Sequence, residues 1–460
     1  MNSEDPLLTA SIYKSIWDVS PNPDDPYSYK ILQQLTKRLL KVYESEGFLQ
    51  EDPFVETAKR QVAIRNPEII KLLKGTTCLV TGGLGCVGSA LIKKLLGLEV
   101  EKIIVVDKKI NKYNTEDDRI VYSQVNISNS QHLNEAFDIF QPDYVFHTAA
   151  QRDPGYAETQ PYETIRDNII GTKNVADACE NSRSVKQCVF SSTGKASRYF
   201  TNEVYAATKK IGEYIFDTYA KNSNVKYSVV RFTHILENSL MNAELQNIEQ
   251  VDYLAVHSPG KYVTAQNVSE AVHLMLNALL SAKSNVCNFS IVRHLAWPVE
   301  SLEVALYHIN KSKSKIPIVF KGNPPGYHEK FFRGQMDWSK PAELNLLINV
   351  YENKTTDLNE EKDIIIFHIP SIDKYTLERS LSKIQHIKDD PSLKACLSRE
   401  LKNMVQASLK YVNKNDTLKI MEWGLDPKTL AAEKSTIDDY SDIALLLRQS
   451  LENSAITVDL

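Results

Sequence analysis

Tyr205 and Lys209 stand four residues apart in Tyr205-Ala-Ala-Thr-Lys209, a spacing that puts both side chains on one face of a helix. A tyrosine titrates near pH ~10, so bringing it near neutrality takes roughly 4 kcal/mol of preferential phenolate stabilisation. A neighbouring ammonium supplies part of that. Shortly upstream, a strand-like CVF leads into Ser191-Ser192-Thr193-Gly194-Lys195. A hydroxyl from Thr193 or Ser192 would orient an alcohol there while Tyr205 takes its proton and a hydride leaves for a cofactor.

A place for such a cofactor lies nearer the N-terminus, in Thr81-Gly82-Gly83-Leu84-Gly85-Cys86-Val87-Gly88. This run sits between a hydrophobic strand and an apolar-periodic helix. Glycines let a pyrophosphate approach the backbone and the free N–H groups of the helix N-terminus without meeting a Cβ. Two registers fit, one through Gly83, Gly85 and Gly88 and one through Gly82, Gly85 and Gly88. Asp107 closes the next strand 19 residues past Gly88, where a carboxylate accepts hydrogen bonds from an adenosine ribose. A carboxylate there points to NAD, whereas Lys108 and Lys109 leave NADP open. Cys86 reads as a thiol packed beneath the cofactor rather than a nucleophile.

The elements that must position these residues are set by periodicity. TCLVTGG, KIIVVD, RIVYSQVN, YVFHTAA, KQCVFSS and KYSVVRF are short β-branched runs separated by helical stretches. That rhythm predicts an α/β fold, a Rossmann-type doubly wound parallel sheet. Residues 1–74 read as a helical N-terminal extension and 75–235 as the NAD(P)-binding domain. A smaller α+β substrate lobe is expected over 236–345, interleaved with the Rossmann domain, and a mainly helical extension over 346–460 with one strand-like run at Asp363–His368. His147 reads as a strand-end packing residue.

Composition narrows the partners. The chain has 460 residues, 42% of them hydrophobic, which implies more than one packed unit. With 54 Lys and Arg against 58 Asp and Glu, nothing marks a nucleic-acid or anionic-membrane surface. The six cysteines form no CxxC pair, so no metal site is expected and a reducing, cytoplasmic setting is. The N-terminus lacks the positive segment of a secretory leader, and no run approaches the roughly 18–20 apolar residues of a membrane span.

In order and spacing, TGGLGCVGSAL, AAQRDPGYAETQPYETIRDNIIGTKNV, SSTGKA and YAATKK resemble the extended short-chain dehydrogenase/reductases, and within them the polysaccharide-biosynthesis branch that includes UDP-N-acetylglucosamine 4,6-dehydratases. The resemblance covers roughly residues 66 to 340. It implies a nucleotide sugar oxidised at carbon 4 through Tyr205, Lys209 and Thr193, with Lys195 as the base at carbon 5, and then dehydration. It also implies that Asn126, Ile127, Ala149, Ala150, Asn168 and Ser191 line the cofactor, and that Arg152, Glu158, Ser192, Arg231, Lys261, Glu329 and Lys330 line the substrate. Pro325-Gly326 and Glu329-Lys330 resemble the branch's RPGEK signature with Tyr327 and His328 inserted. The branch's STDK motif carries the acid that protonates the leaving hydroxyl, and here that residue is Gly194. General-acid help is worth about 10²–10⁴ in rate, so epimerisation or keto-reduction without dehydration stands as the alternative, and a non-catalytic NAD(P)-binding protein as a third. Glu203 and Asp153 are the carboxylates that could replace the acid. In this class the helices following Ala150 and carrying Tyr205 commonly pair across a two-fold axis, which implies a homodimer or larger homo-oligomer.

Overall fold

The computed structural model describes residues 6–110, 117–238, 245, 247–327 and 329–452, so His328 lies outside the described residues. Contacts divide the chain into two compact units, one of residues 1–61, 233–268 and 295–324, the other of 62–232, 269–294 and 325–460.

The second unit is built on one nine-stranded sheet. Its strands are β1 (Thr77–Thr81), β2 (Lys102–Asp107), β3 (Ile120–Gln124), β4 (Tyr144–His147), β5 (Gln187–Thr193), β6 (Lys226–Phe232), β7 (Asn288–Val292), β8 (Asp357–Leu358) and β9 (Ile364–Phe367). The order is β8-β9-β7-β6-β5-β4-β1-β2-β3. β1 to β7 run parallel, and β9 joins β7 antiparallel, with β8 beyond it. This is the Rossmann arrangement, whose strand order reverses between β1 and β4 and leaves a crevice at the carboxyl ends. Continuous apolar runs are needed because helices cover both faces, and Cys78, Leu79, Val80, Cys188, Val189 and Phe190 are fully buried.

The first unit is a helical cluster with short strand pairs. Helix Pro26–Ser45 is capped by Asp25, which accepts from Ser28 N–H at 2.9 Å, and has proline in its first turn. Its apolar stripe, Leu32, Leu35 and Leu39, shares a core with Ile12, Ile16, Leu302, Leu306 and Ile318. Tyr43 OH donates to Glu300 at 2.9 Å.

These units cut across the four segments expected from sequence. The first 61 residues share their core with parts of the expected substrate lobe, because an amphipathic stripe needs an apolar partner and Leu302, Leu306 and Ile318 provide one. The chain beyond 325 belongs to the Rossmann unit, since β9 completes its sheet. Among the described residues no helix is long and apolar enough to cross a membrane.

Candidate active site

The glycine turn follows β1 and opens the helix Cys86–Leu95, with Gly85 at its N-cap. Gly82 has φ +68°, and a Cβ on it would lie 2.6 Å from Ala149 Cα. A Cβ on Gly88 would run into the Gly82 carbonyl, and one on Gly83 would lie 2.7 Å from Val105. All four glycines shape the turn, so both registers read from sequence describe one structure. No side chain caps the helix, so its first N–H groups face the position a pyrophosphate takes in this fold. Val87 is half-buried on the first turn with Cys86. The Asp107 carboxylate accepts from Leu84 N–H at 3.2 Å, which holds the end of β2 against the turn. Lys108 pairs with Asp167 at 2.9 Å.

Behind the turn, the Thr81 hydroxyl meets His147 Nδ1 at 2.7 Å, and His147 Nε2 meets Thr172 Oγ1 at 2.9 Å. Burial and the Lys209 charge push the imidazole down to about 3, so it is a neutral bridge inside the sheet. Asn126 Oδ1 accepts from Ser128 N–H and hydroxyl at 3.0 and 2.8 Å, and Ile127 packs where Gly171 has no Cβ. Ala149 N–H reaches Thr81 Oγ1 at 3.4 Å, with Ala150 next in the chain. Asn168 lies in a π-turn, Arg166–Ile170, accepts from Gln151 N–H at 2.7 Å and donates to Gln151 O and Thr208. Such π-turns frequently mark functional positions, and this one ties the strand-end segment to the helix that carries Tyr205.

Tyr205 sits on the first turn of helix Val204–Ala220. Burial pushes its phenol up to about 12, the Thr193 hydroxyl bond and the Arg152 charge pull it down, and Glu203 pushes it up. Lys209 Nζ donates to Ser191 O at 2.7 Å and lies 4.5 Å from the Phe190 ring centroid. Burial brings this lysine down to about 7. Thr193, Tyr205 and Lys209 therefore meet at the carboxyl end of β5, and the lysine can move a proton near neutral pH.

Lys195 pairs with Glu203, a buried residue, and also approaches Gly326 O at 3.5 Å and the Tyr327 ring at 4.7 Å. Burial lowers its pKa, with Glu203 opposing. Arg198 bridges Glu203 and Glu329, the latter at 2.7 Å, and Glu329 also accepts from Thr201 and Asn202 N–H. Glu158 accepts from Val204 N–H at 2.7 Å, capping the reactive helix, and pairs with Lys394. Asp153 caps Pro154–Thr159, accepting from Gly155 and Tyr156 N–H, and its charge adds to burial in raising the Tyr327 pKa, while Glu203 pairs with Lys195 and Arg198, so both carboxylates considered as replacement acids stand near these groups.

Three residues expected at the substrate are held by partners of their own. Arg231 is fully buried, with bidentate pairs to Glu213 and Glu352 at 2.7–2.8 Å and a bond to Leu347 O. Burial works against its charge, but the two carboxylates outweigh it and raise its pKa. Ser192 donates to Glu213 at 2.6 Å in the same cluster. Alternation along β5 aims Thr193 and Ser192 to opposite faces, so only Thr193 faces Tyr205. Lys330 pairs with Asp439 at 2.9 Å on an exposed surface. Lys261 belongs to the other unit, where its carbonyl accepts from Ser301 N–H.

Two residues at the site gave no usable signal in sequence. Tyr327 stands over Lys195 and raises the Tyr205 pKa. Leu347, buried, occupies the space in which position 194 would carry a side chain, so a Cβ there would run into its Cδ2.

The family of polysaccharide biosynthesis proteins matches residues 78–336. The chain belongs to that family. It is 28% identical over 375 residues to the capsular polysaccharide biosynthesis protein CapD of Staphylococcus aureus, covering 74% of this chain and 59% of CapD. It is 32% identical over 178 residues to a UDP-N-acetylglucosamine 4,6-dehydratase (inverting) of Campylobacter jejuni, covering 36% of this chain and 51% of that protein. The chain thus spans between half and three-fifths of these relatives. Pen from Bacillus thuringiensis shares the fold with a TM-score of 0.55 at 22% identity, over 64% of this chain and 87% of Pen.

Proposed function

We propose that the chain is an NAD-dependent enzyme that oxidises a carbinol, at carbon 4, of a nucleotide-activated sugar. The observation that carries the reading is the Thr193–Tyr205 bond at the carboxyl end of β5, with Lys209 on the same helix face. The glycine turn is compatible with a dinucleotide: Gly85 stands at the N-cap of helix Cys86–Leu95 with no side-chain cap, and the dipole at that helix start favours a pyrophosphate. Asp107 at the end of β2 favours NAD over NADP by repelling a 2′-phosphate, and Lys108 is already committed to Asp167. The bound dinucleotide would accept the hydride and bring positive charge near the phenol. Tyr205 holds the carbinol proton, Thr193 orients the hydroxyl, and Lys209 passes a proton onward from its place against Ser191 O.

The fate of the oxidised sugar depends on the groups around Lys195. Dehydration, as in the relatives named 4,6-dehydratases, needs a base at carbon 5, the role assigned to Lys195, and an acid at the leaving hydroxyl. Leu347 fills the space at position 194, and this favours the second reading, epimerisation or keto-reduction without loss of water. The test is incubation of purified protein with NAD⁺ and UDP-, dTDP-, GDP- and CDP-sugars. Product mass lower by one water supports dehydration, and an isomer of equal mass supports epimerisation. Tyr205→Phe should lower turnover by at least about 10³ while NAD affinity stays within a few-fold. Retained activity in that variant rules out the assignment.

A further inference from the structure

Helix Val204–Ala220 is buried nearly all round: every residue except Tyr205 and Tyr219 is buried within a single chain. A surface helix normally keeps a polar face to water, so something must cover its outer side. One side rests on the sheet, where Gly212 leaves room for the Phe190 ring. The other meets the C-terminal helices Lys374–Gln385 and Asp390–Ser408. Tyr214 OH bonds Ser408 Oγ at 3.2 Å, and Lys221 Nζ donates to Ile372 O at 2.9 Å.

The covering helices are shaped for this role. Leu393, Leu397, Leu401 and Val405 form a buried row at helical spacing, while the opposite side of the tail carries Lys374, Glu378, Lys383 and Arg399 at the surface. Polar contacts fasten the edges. Tyr162 N–H donates to Asp390 at 2.8 Å, Lys394 pairs with Glu158, and Ser398 donates to Asn202 at 2.6 Å. The covered surface includes both the helix carrying Tyr205 and the start of the helix following Ala150, the two helices for which a subunit pairing is expected from resemblance.

We propose that this tail takes the place of a partner subunit in cis, so that the protein is monomeric across the outer face of helix Val204–Ala220. The tail also reaches the reactive end of that helix, because Glu158, held by Lys394, is the residue that accepts from Val204 N–H. The assignment is independent of what the site catalyses.

Zero-length carbodiimide cross-linking of the full-length protein, separated under denaturing conditions, tests it. The expected result is a Lys394–Glu158 cross-linked peptide recovered from the 52.1 kDa band and lost in Lys394→Gln. Recovery of that peptide only from a band of twice the mass, or no such peptide, overturns the proposal. A second measurement uses Leu397→Asp, which should increase hydrogen exchange in peptides spanning 204–220 at least tenfold and drive association in light scattering. Unchanged protection of those peptides also overturns it.

Discussion

The two glycine-bearing turns of the Rossmann unit differ in what makes glycine necessary. At the first, the obstacles to a Cβ on Gly82 and Gly88 are backbone atoms, Ala149 and the turn itself. At the second, the obstacle at Gly194 is the tip of one side chain, Leu347, brought from far along the chain. Backbone crowding cannot be relieved without moving strands, whereas a leucine methyl can be cut away. The first turn is a property of the fold, and the second is a property of this chain's tail. One turn is thus fixed by the strands it joins, and the other by a segment about 150 residues away.

The largest effect that bears on this contrast comes from Arg231, which ties the tail to the sheet. Arg231→Met leaves Glu213 and Glu352 buried without their cation and should destabilise the protein by about 3–5 kcal/mol, read by denaturant unfolding; a loss below about 1 kcal/mol would show that the tail is only loosely joined. Next, Gly88→Ala should weaken NAD binding roughly tenfold or more by calorimetry, with no rescue from truncating a neighbouring side chain. Gly194→Ala should cost roughly 1–3 kcal/mol by overpacking, and here rescue is expected. In a double-mutant cycle with Leu347→Ala the two changes should couple by about 1 kcal/mol or more; strict additivity would erase the distinction between the turns.

A separate effect falls on pH dependence. Burial lowers Lys209 to about 7 and Lys210 to about 8, below the ordinary lysine value near ~10.4. The unfolded chain therefore binds more protons between those values, and stability should rise as pH increases from 7 to 9. Lys209→Met should flatten that slope and raise the melting temperature at pH 7. A slope unchanged in the variant would show that the lysine keeps its ordinary titration.

Legibility in the sequence tracked the distance between partners. All six strands that carry the nucleotide fold, the glycine turn and the Tyr205–Lys209 spacing are set by short-range periodicity, and each was readable. The partners of Arg231 and Ser192 have no local signal, because Glu213 is buried on a helix and Glu352 lies 121 residues beyond Arg231. Nothing near Gly194 announces Leu347. The apolar periodicity of helix Pro26–Ser45 is local, but its core partners at 302–320 share no local pattern with it. Glu203 is legible only as a carboxylate close to Tyr205 in the chain; its pairing with Lys195 and Arg198 depends on the folded loop before the helix.

The tail's hold on the turn at Gly194 also orders events at the ribosome. Ser197, next to that turn, bonds the carbonyl of Leu346, 149 residues later, and at synthesis rates of about 5–20 residues per second the two emerge roughly 7–30 s apart. Once β6 has emerged and before Leu346 does, the nascent chain can pair β1 to β6, yet Arg231 has only one of its carboxylates and Gly194 lacks Leu347. Completion of this turn therefore waits on a segment made 149 residues later even though it needs no modification, and a translation stall between the two segments would hold a chain able to form the parallel sheet around an unfinished turn.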